Sequence, residues 1–143
     1  MMTKWRTASV ILIPLLLISC ITNNVNKIDR QEIGEICIRE NPEVLMDGFL
    51  PNLIEEIERK GIRARVYQGA APADCSYTMT YSANWNWDMA MYLSYARIDL
   101  YREGTRIGEA TFDARLAGLD LSKFASAESK IDPLIAELLQ NAE

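Results

Sequence analysis

The 143-residue chain contains no histidine. That absence excludes Ser-His-Asp and Cys-His hydrolysis, His-ligated zinc and the usual general base at neutral pH. Any catalysis has to rest on carboxylates, Tyr, Lys or Arg. Glycine is sparse, with 7 in the chain, and no Gly-rich phosphate loop, Walker pattern or dinucleotide fingerprint occurs. No cofactor is therefore expected. Basic residues are in deficit, 15 against 20 acidic, for a net charge of −5. Nucleic acid is a poor partner for such a chain, because affinity for it comes from neutralising phosphates, and so is an anionic lipid surface. The acidic balance reads as solubility, with a basic partner as the alternative. A membrane-spanning run is also lacking: the apolar stretch 8–18 (ASVILIPLLLI) falls short of the roughly 20 residues that a hydrocarbon core about 30 Å thick requires.

That stretch follows Lys4 and Arg6 and is interrupted by Pro14, the pattern of a secretory signal peptide over residues 1–19. Its end, Leu17-Ile18-Ser19-Cys20, resembles the lipobox of bacterial lipoproteins. The resemblance implies cleavage before Cys20, diacylglycerol (palmitate) on its thiol and acylation of the new amine, which makes Cys20 the lipidation site and the membrane a partner through it. More than one acyl chain is what makes such an anchor durable. The alternative is an ordinary signal peptide with an incidental cysteine. Ile21 stands where an inner-membrane sorting Asp is found in enterobacterial-type lipoproteins, so the resemblance implies the periplasmic leaflet of the outer membrane. Without residues 1–19 the charge becomes −7, since only Lys4 and Arg6 are lost. The remainder suits one domain and not two: a polar, Asn-rich lipidated tether over 20–31, then a single αβ domain over 32–143.

Of 3 cysteines, Cys37 and Cys75 remain after Cys20. In an oxidising compartment an even pair reads as a disulfide. It closes a loop of about 38 residues, worth about 4 kcal/mol by chain entropy. Two separate buried thiols are the alternative. No metal site is expected, because two thiolates without His or a CxxC pair make a thin ligand set.

The periodicities predict a strand near Glu32–Arg39, stopped by Asn41-Pro42, then a helix over Asp47–Lys60. In the helix Phe49, Leu50, Leu53, Ile54 and Ile57 share one face, while Glu55, Glu56, Glu58 and Arg59 face solvent. Alternation predicts strands at Ile62–Tyr67 and Cys75–Ala83, a turn at Asn84-Trp85-Asn86, and a long strand over Trp87–Arg102. A parity change near Tyr95-Ala96 in that strand predicts a bulge or strong twist. A tight turn at Glu103-Gly104 leads to a last strand, Thr105–Ala114, and a C-terminal helix covers Ala127–Asn141, with Pro133 in its first turns or at its start. The order β-α-β-β-β-β-α predicts an α+β fold: a mixed, mostly antiparallel sheet with two helices on one face.

The core Cys75-x-Tyr77-x-x-x-Tyr81-x-Ala83-x-Trp85-x-Trp87-Asp88-x-Ala90-x-Tyr92, with Ile107-Gly108-Glu109-Ala110 in the last strand, resembles small Gram-negative proteobacterial lipoproteins of unassigned function. The likeness spans about Ile36–Leu139 and implies an envelope location without implying an activity. In architecture alone, the domain is similar to accessory lipoproteins of envelope transport and secretion machines.

Among the aromatics, Trp85 and Tyr92 are the candidate partner-binding residues, since such side chains give much contact area at little entropy cost. Trp87, Tyr77 and Tyr81 are expected in the core. Asp88, Asp99, Glu103 and Glu109 include the candidates for a carboxylate pair; the plainer expectation is a solvated face paired with Arg97, Arg102 and Arg106. The row Ser76, Thr78, Thr80 and Ser82 reads as an exposed sheet face. Together these features predict a lipid-anchored envelope protein that is not an enzyme and serves as an accessory or binding subunit, with an envelope protein as its partner. The alternatives are an inhibitor or chaperone-like binder of a basic envelope protein, and a carboxylate-only envelope hydrolase.

Overall fold

A computed structural model describes residues 20–26 and 33–140. The signal peptide read over 1–19 and the end of the tether, residues 27–31, lie outside these residues. The elements are strands β1 (Cys20–Asn26) and β2 (Glu35–Arg39), helix α1 (Phe49–Arg59), strands β3 (Arg63–Tyr67), β4 (Tyr77–Asp88), β5 (Ala90–Arg102) and β6 (Thr105–Leu116), and helix α2 (Ala127–Leu138). A single 3-10 turn, Leu121–Phe124, precedes α2. The strands form one mixed sheet in the order β1-β6-β5-β4-β2-β3. Pairing of β2 with β3 and β4 is parallel, and the remaining pairs are antiparallel. The expected α+β fold is therefore the one found.

Both helices cover the same face. From the sheet come Ile36, Ile38, Met79, Tyr81, Ile98, Leu100 and Phe112; from the helices Phe49, Leu53, Ile57, Ile131, Leu134, Ile135 and Leu138, all buried. The helix α1 stripe follows the predicted spacing, with one difference. Glu56 is buried at 5 % exposure, held by Arg59 at 2.6 Å, because α2 packs alongside α1 and covers the flank that the isolated helix would show to water. Pro133 lies inside α2, deeper than its first turn, while the Ser126 side chain caps the helix by accepting from Ser129 N.

The stretch read as the start of a tether is instead an edge strand. Strand β1 pairs antiparallel with β6, Cys20 opposite Leu116 and Asn26 opposite Glu109. A polar composition is no obstacle there, since the ladder uses backbone groups and one face of β1 looks onto the uncovered side of the sheet. The predicted bulge is present: Asn84 pairs with Tyr95 and Trp85 with Leu93, leaving Ser94 as the extra residue. Its hydroxyl is buried and donates to the Asn84 carbonyl at 3.0 Å.

The expected turn at Asn84-Trp85-Asn86 is not found. Strand β4 runs on through Asp88 and the chain reverses at Met89, with Asp88 opposite Ala90. Met89 adopts φ 60°, a left-handed conformation uncommon outside glycine and Asn. Cys37 and Cys75 form a disulfide, Cα–Cα 6.3 Å, tying β2 to the chain entering β4.

Candidate functional site

Two regions stand out from the plain αβ frame: the uncovered face of the sheet and one of its ends. On the uncovered face, Asp99 of β5 lies directly opposite Glu109 of β6. Like charges at opposed positions repel, and two guanidiniums resolve the conflict. Arg97 meets Asp99 at 2.8 Å and Glu109 at 3.1 Å; Arg106 meets them at 3.2 Å and 2.7 Å. The hydrogen bonds that Arg97 donates to the Asp99 carboxylate hold its guanidinium well above its ordinary pKa. Thr111 adds a long hydroxyl contact to Glu109 at 3.4 Å. Two smaller pairs repeat the theme. Arg115 and Asp113 are in direct contact, which pulls the Asp113 carboxyl below the usual carboxylate range. Arg65 grips Asp74 at 3.0 Å and depresses its pKa in the same way.

The four acids singled out in the sequence are thus dispersed in role. Asp99 and Glu109 do come together, but as acceptors shared by two arginines. Asp88 takes the Lys123 ammonium at 2.5 Å, and Glu103 forms the β5–β6 turn with φ 48°. Arg102 sets its guanidinium 5.7 Å from the Tyr77 ring centre. Thr78, Thr80 and Ser82 lie on the uncovered face as expected, in register with Tyr101, Asp99 and Arg97. Glu35 is grouped with Cys37 and Cys75, but the disulfide uses both sulfurs, so this trio offers a cation one carboxylate.

Beside the end of β2 lies an open cleft of about 350 Å³, with Arg39, Glu40, Asn41, Glu43, Thr80 and Tyr81 in its lining. Asn41 spans it, its amide donating to the Tyr81 carbonyl at 2.9 Å while its backbone N–H reaches the Tyr81 hydroxyl at 3.2 Å. Two carboxylates, Glu40 and Glu43, line the cleft beside Arg39, and Glu40 accepts from Gln68 at 2.5 Å.

The end of the sheet where β4 turns into β5 differs sharply. Trp87, Met89 and Met91 are 73 %, 77 % and 54 % exposed, and Trp87 sits directly across from Met91. Strand β6 finishes at this end with Leu116, and the chain after it adds Leu119 and Leu121; all three are more than two-thirds exposed. Strand β2, parallel to β4, stops well short of this end, its Ile38 level with Met79, and the loop after it carries exposed Leu45 and Met46 nearer Tyr81. Among the described residues, Leu45, Met46 and Val66 are the large exposed apolar side chains placed elsewhere.

The tryptophans exchange the roles read from sequence. Trp85 is half-buried against the core and meets the Phe49 ring edge-on at 6.0 Å, while Tyr81 stacks on Phe49 at 5.3 Å. Trp87, expected in the core, is the one left in solvent. Both lie on the helix side of β4, but α1 begins at Phe49, level with Trp85, and does not extend as far as Trp87. Tyr92 packs edge-on against Phe124 at 5.7 Å, with the Lys123 ammonium 5.2 Å from its ring centre. It secures the 3-10 turn to the hairpin and is not a free contact residue. Tyr77 is partly buried against the core as expected.

Comparison with family models and with curated protein sequences yields no match. Comparison with solved structures finds this fold in PelC of Paraburkholderia phytofirmans, crystallised as a dodecamer. One form gives a TM-score of 0.55 at 14 % identity, over 85 % of this chain and 98 % of that one. A single-residue PelC variant gives 0.54 at 14 %, over 87 % and 100 %. The likeness is one of fold. No helix among the described residues is long and apolar enough to cross a membrane.

Proposed function

We propose that this chain is a lipid-anchored protein of the bacterial cell envelope, held by acyl chains on Cys20 at the periplasmic leaflet of the outer membrane, and that it acts without catalysis as an accessory or binding subunit. The observation that carries the reading is the position of Cys20. It ends the Leu17-Ile18-Ser19-Cys20 lipobox, is exposed, and opens an edge strand at the rim of the sheet, where a peptidase and an acyltransferase have access. A domain tied by the Cys37–Cys75 disulfide suits the same compartment. A non-catalytic role is supported by the pairing of Asp99 and Glu109 with two arginines, which leaves that carboxylate pair without a free acid. That PelC, of the same fold, assembles as a dodecamer supports a subunit that works in multiple copies.

The test is to express the full chain in a Gram-negative host with a photo-crosslinking residue at Thr80 on the uncovered face. Irradiated envelopes are expected to give a discrete adduct, either with further copies or with one envelope protein. Palmitate labelling of the wild type should disappear in Cys20→Ala. A monomer with no adduct would defeat the subunit reading, and persistent labelling of Cys20→Ala would defeat the anchor.

A further inference from the structure

We propose that the apolar end of the sheet, formed by the β4–β5 hairpin and the segment following β6, dips into the surface of a lipid bilayer beside Cys20 and holds the domain upright on it. This rests on the reading of Cys20 as the lipidated residue.

The register of β1 makes the argument. Cys20 pairs with Leu116, and paired Cα atoms in an antiparallel ladder stand about 5 Å apart. No slack chain separates the anchor from the domain, so acyl chains on Cys20 bring Leu116 to the headgroup layer whatever else happens. Leu119, Leu121, Trp87, Met89 and Met91 lie at that same end and are left exposed by the described residues. An exposed patch this concentrated marks an interaction surface, and the material that the anchor sets against it is lipid. Trp is suited to the position, because its amphipathic ring settles at the bilayer–water interface.

The charges at this end agree. Asp88 is neutralised by Lys123, which also donates to the Gly118 carbonyl at 2.5 Å, and Asp113 by Arg115. With its ion pairs closed, this end has little electrostatic reason to prefer anionic lipid, so insertion should proceed in zwitterionic membranes and resist salt. Met89 adds an independent sign. Its left-handed backbone is one that glycine or Asn would adopt at lower cost, yet the position carries a long apolar side chain, 77 % exposed.

The processed chain keeps two tryptophans, Trp85 and Trp87, so Trp85→Phe leaves Trp87 as a single reporter and Trp87→Phe leaves Trp85. The acylated protein is placed in phosphatidylcholine vesicles whose chains carry bromine, a contact quencher of indole. Trp87 emission should fall as bromolipid rises and shift to shorter wavelength, with the loss unchanged by added salt. Trp85 emission should fall far less, and Met89→Gly should weaken the loss at Trp87. Protein that floats with the vesicles while Trp87 stays unquenched overturns the proposal and leaves the anchor intact. Trp87 shielded from aqueous acrylamide yet untouched by bromolipid also overturns it, assigning the patch to a second copy or another protein. Should mass spectrometry find no lipid on Cys20, quenching of the unacylated chain still supports insertion of the tip while removing the anchor; its absence removes both.

Discussion

The hairpins at the two ends of β5 use the same backbone device and carry opposite chemistry. At one end the chain reverses at Met89, and at the other at Glu103-Gly104, with positive φ at all three residues. The second turn follows the rule for a two-residue hairpin, with glycine in the left-handed position and charged Arg102, Glu103 and Arg106 around it. The first ignores the rule and surrounds its tip with Trp87, Met89 and Met91. Stability explains the charged end without remainder. It does not explain the apolar one, where three large side chains stand in water and one occupies a strained turn. The difference separates what the fold needs from what it presents.

The comparison breaks if changes away from the apolar tip impair membrane contact, or if changes at that tip impair folding. The largest effect expected is on the disulfide. Replacing Cys37 and Cys75 together with Ala should lower stability by about 4 kcal/mol in urea unfolding, since the bridge closes a 38-residue separation, while Trp87 still reports lipid contact. Next, Arg97→Ala leaves Asp99 and Glu109 opposed with one arginine between them. A loss of about 2 kcal/mol is expected, read from the unfolding midpoint.

A matched pair of turn variants sharpens the contrast. Gly104 has φ 81° and open space where a Cβ would stand, so Gly104→Ala should cost about 1 kcal/mol from conformation alone. Met89→Gly relieves the left-handed strain and adds chain entropy to the unfolded state, two terms of about 1 kcal/mol that oppose each other. Its stability should stay within about 1 kcal/mol of wild type while lipid quenching falls. A large destabilisation by Met89→Gly would show that the apolar tip serves the fold after all.

The smallest effect concerns Lys130, which is buried, donates to the Lys123 carbonyl and has its pKa lowered by burial. Between that lowered value and the ordinary 10.5 the unfolded chain binds more protons than the folded one. Stability should therefore rise slightly with pH in the window just below 10.5. Lys130→Met should lack the rise when urea midpoints are compared across that range.

Much of the frame was legible because periodicity reports burial directly. The α1 stripe, the alternation of Met79, Tyr81 and Ala83, and the parity change that became the Ser94 bulge all record which side of an element meets the core. Three features were not legible, each for a physical reason. The turn places Met89, not glycine or Asn, at its left-handed position, whereas Asn84 and Asn86 mimic a turn. Strand β1 is held by backbone ladder bonds at an edge, which an Asn-rich sequence does not advertise. The exchange between Trp85 and Trp87 depends on where α1 begins relative to the end of β4, a distance in space that alternation along one strand cannot encode. The arginine-bound pair Asp99 and Glu109 was half visible: the acids and Arg97 and Arg106 were named together, but their opposition depends on hairpin register.

Strand β5 also serves as a ruler. It runs from Ala90 beside one tip to Arg102 beside the other, and at the usual rise per residue those ends stand up to about 40 Å apart. With the Met89 tip at a bilayer surface, the Glu103-Gly104 turn becomes the outermost point of the domain. A partner rooted in the same membrane would need to extend comparably far to meet it, whereas one free in the aqueous space beyond would encounter it first.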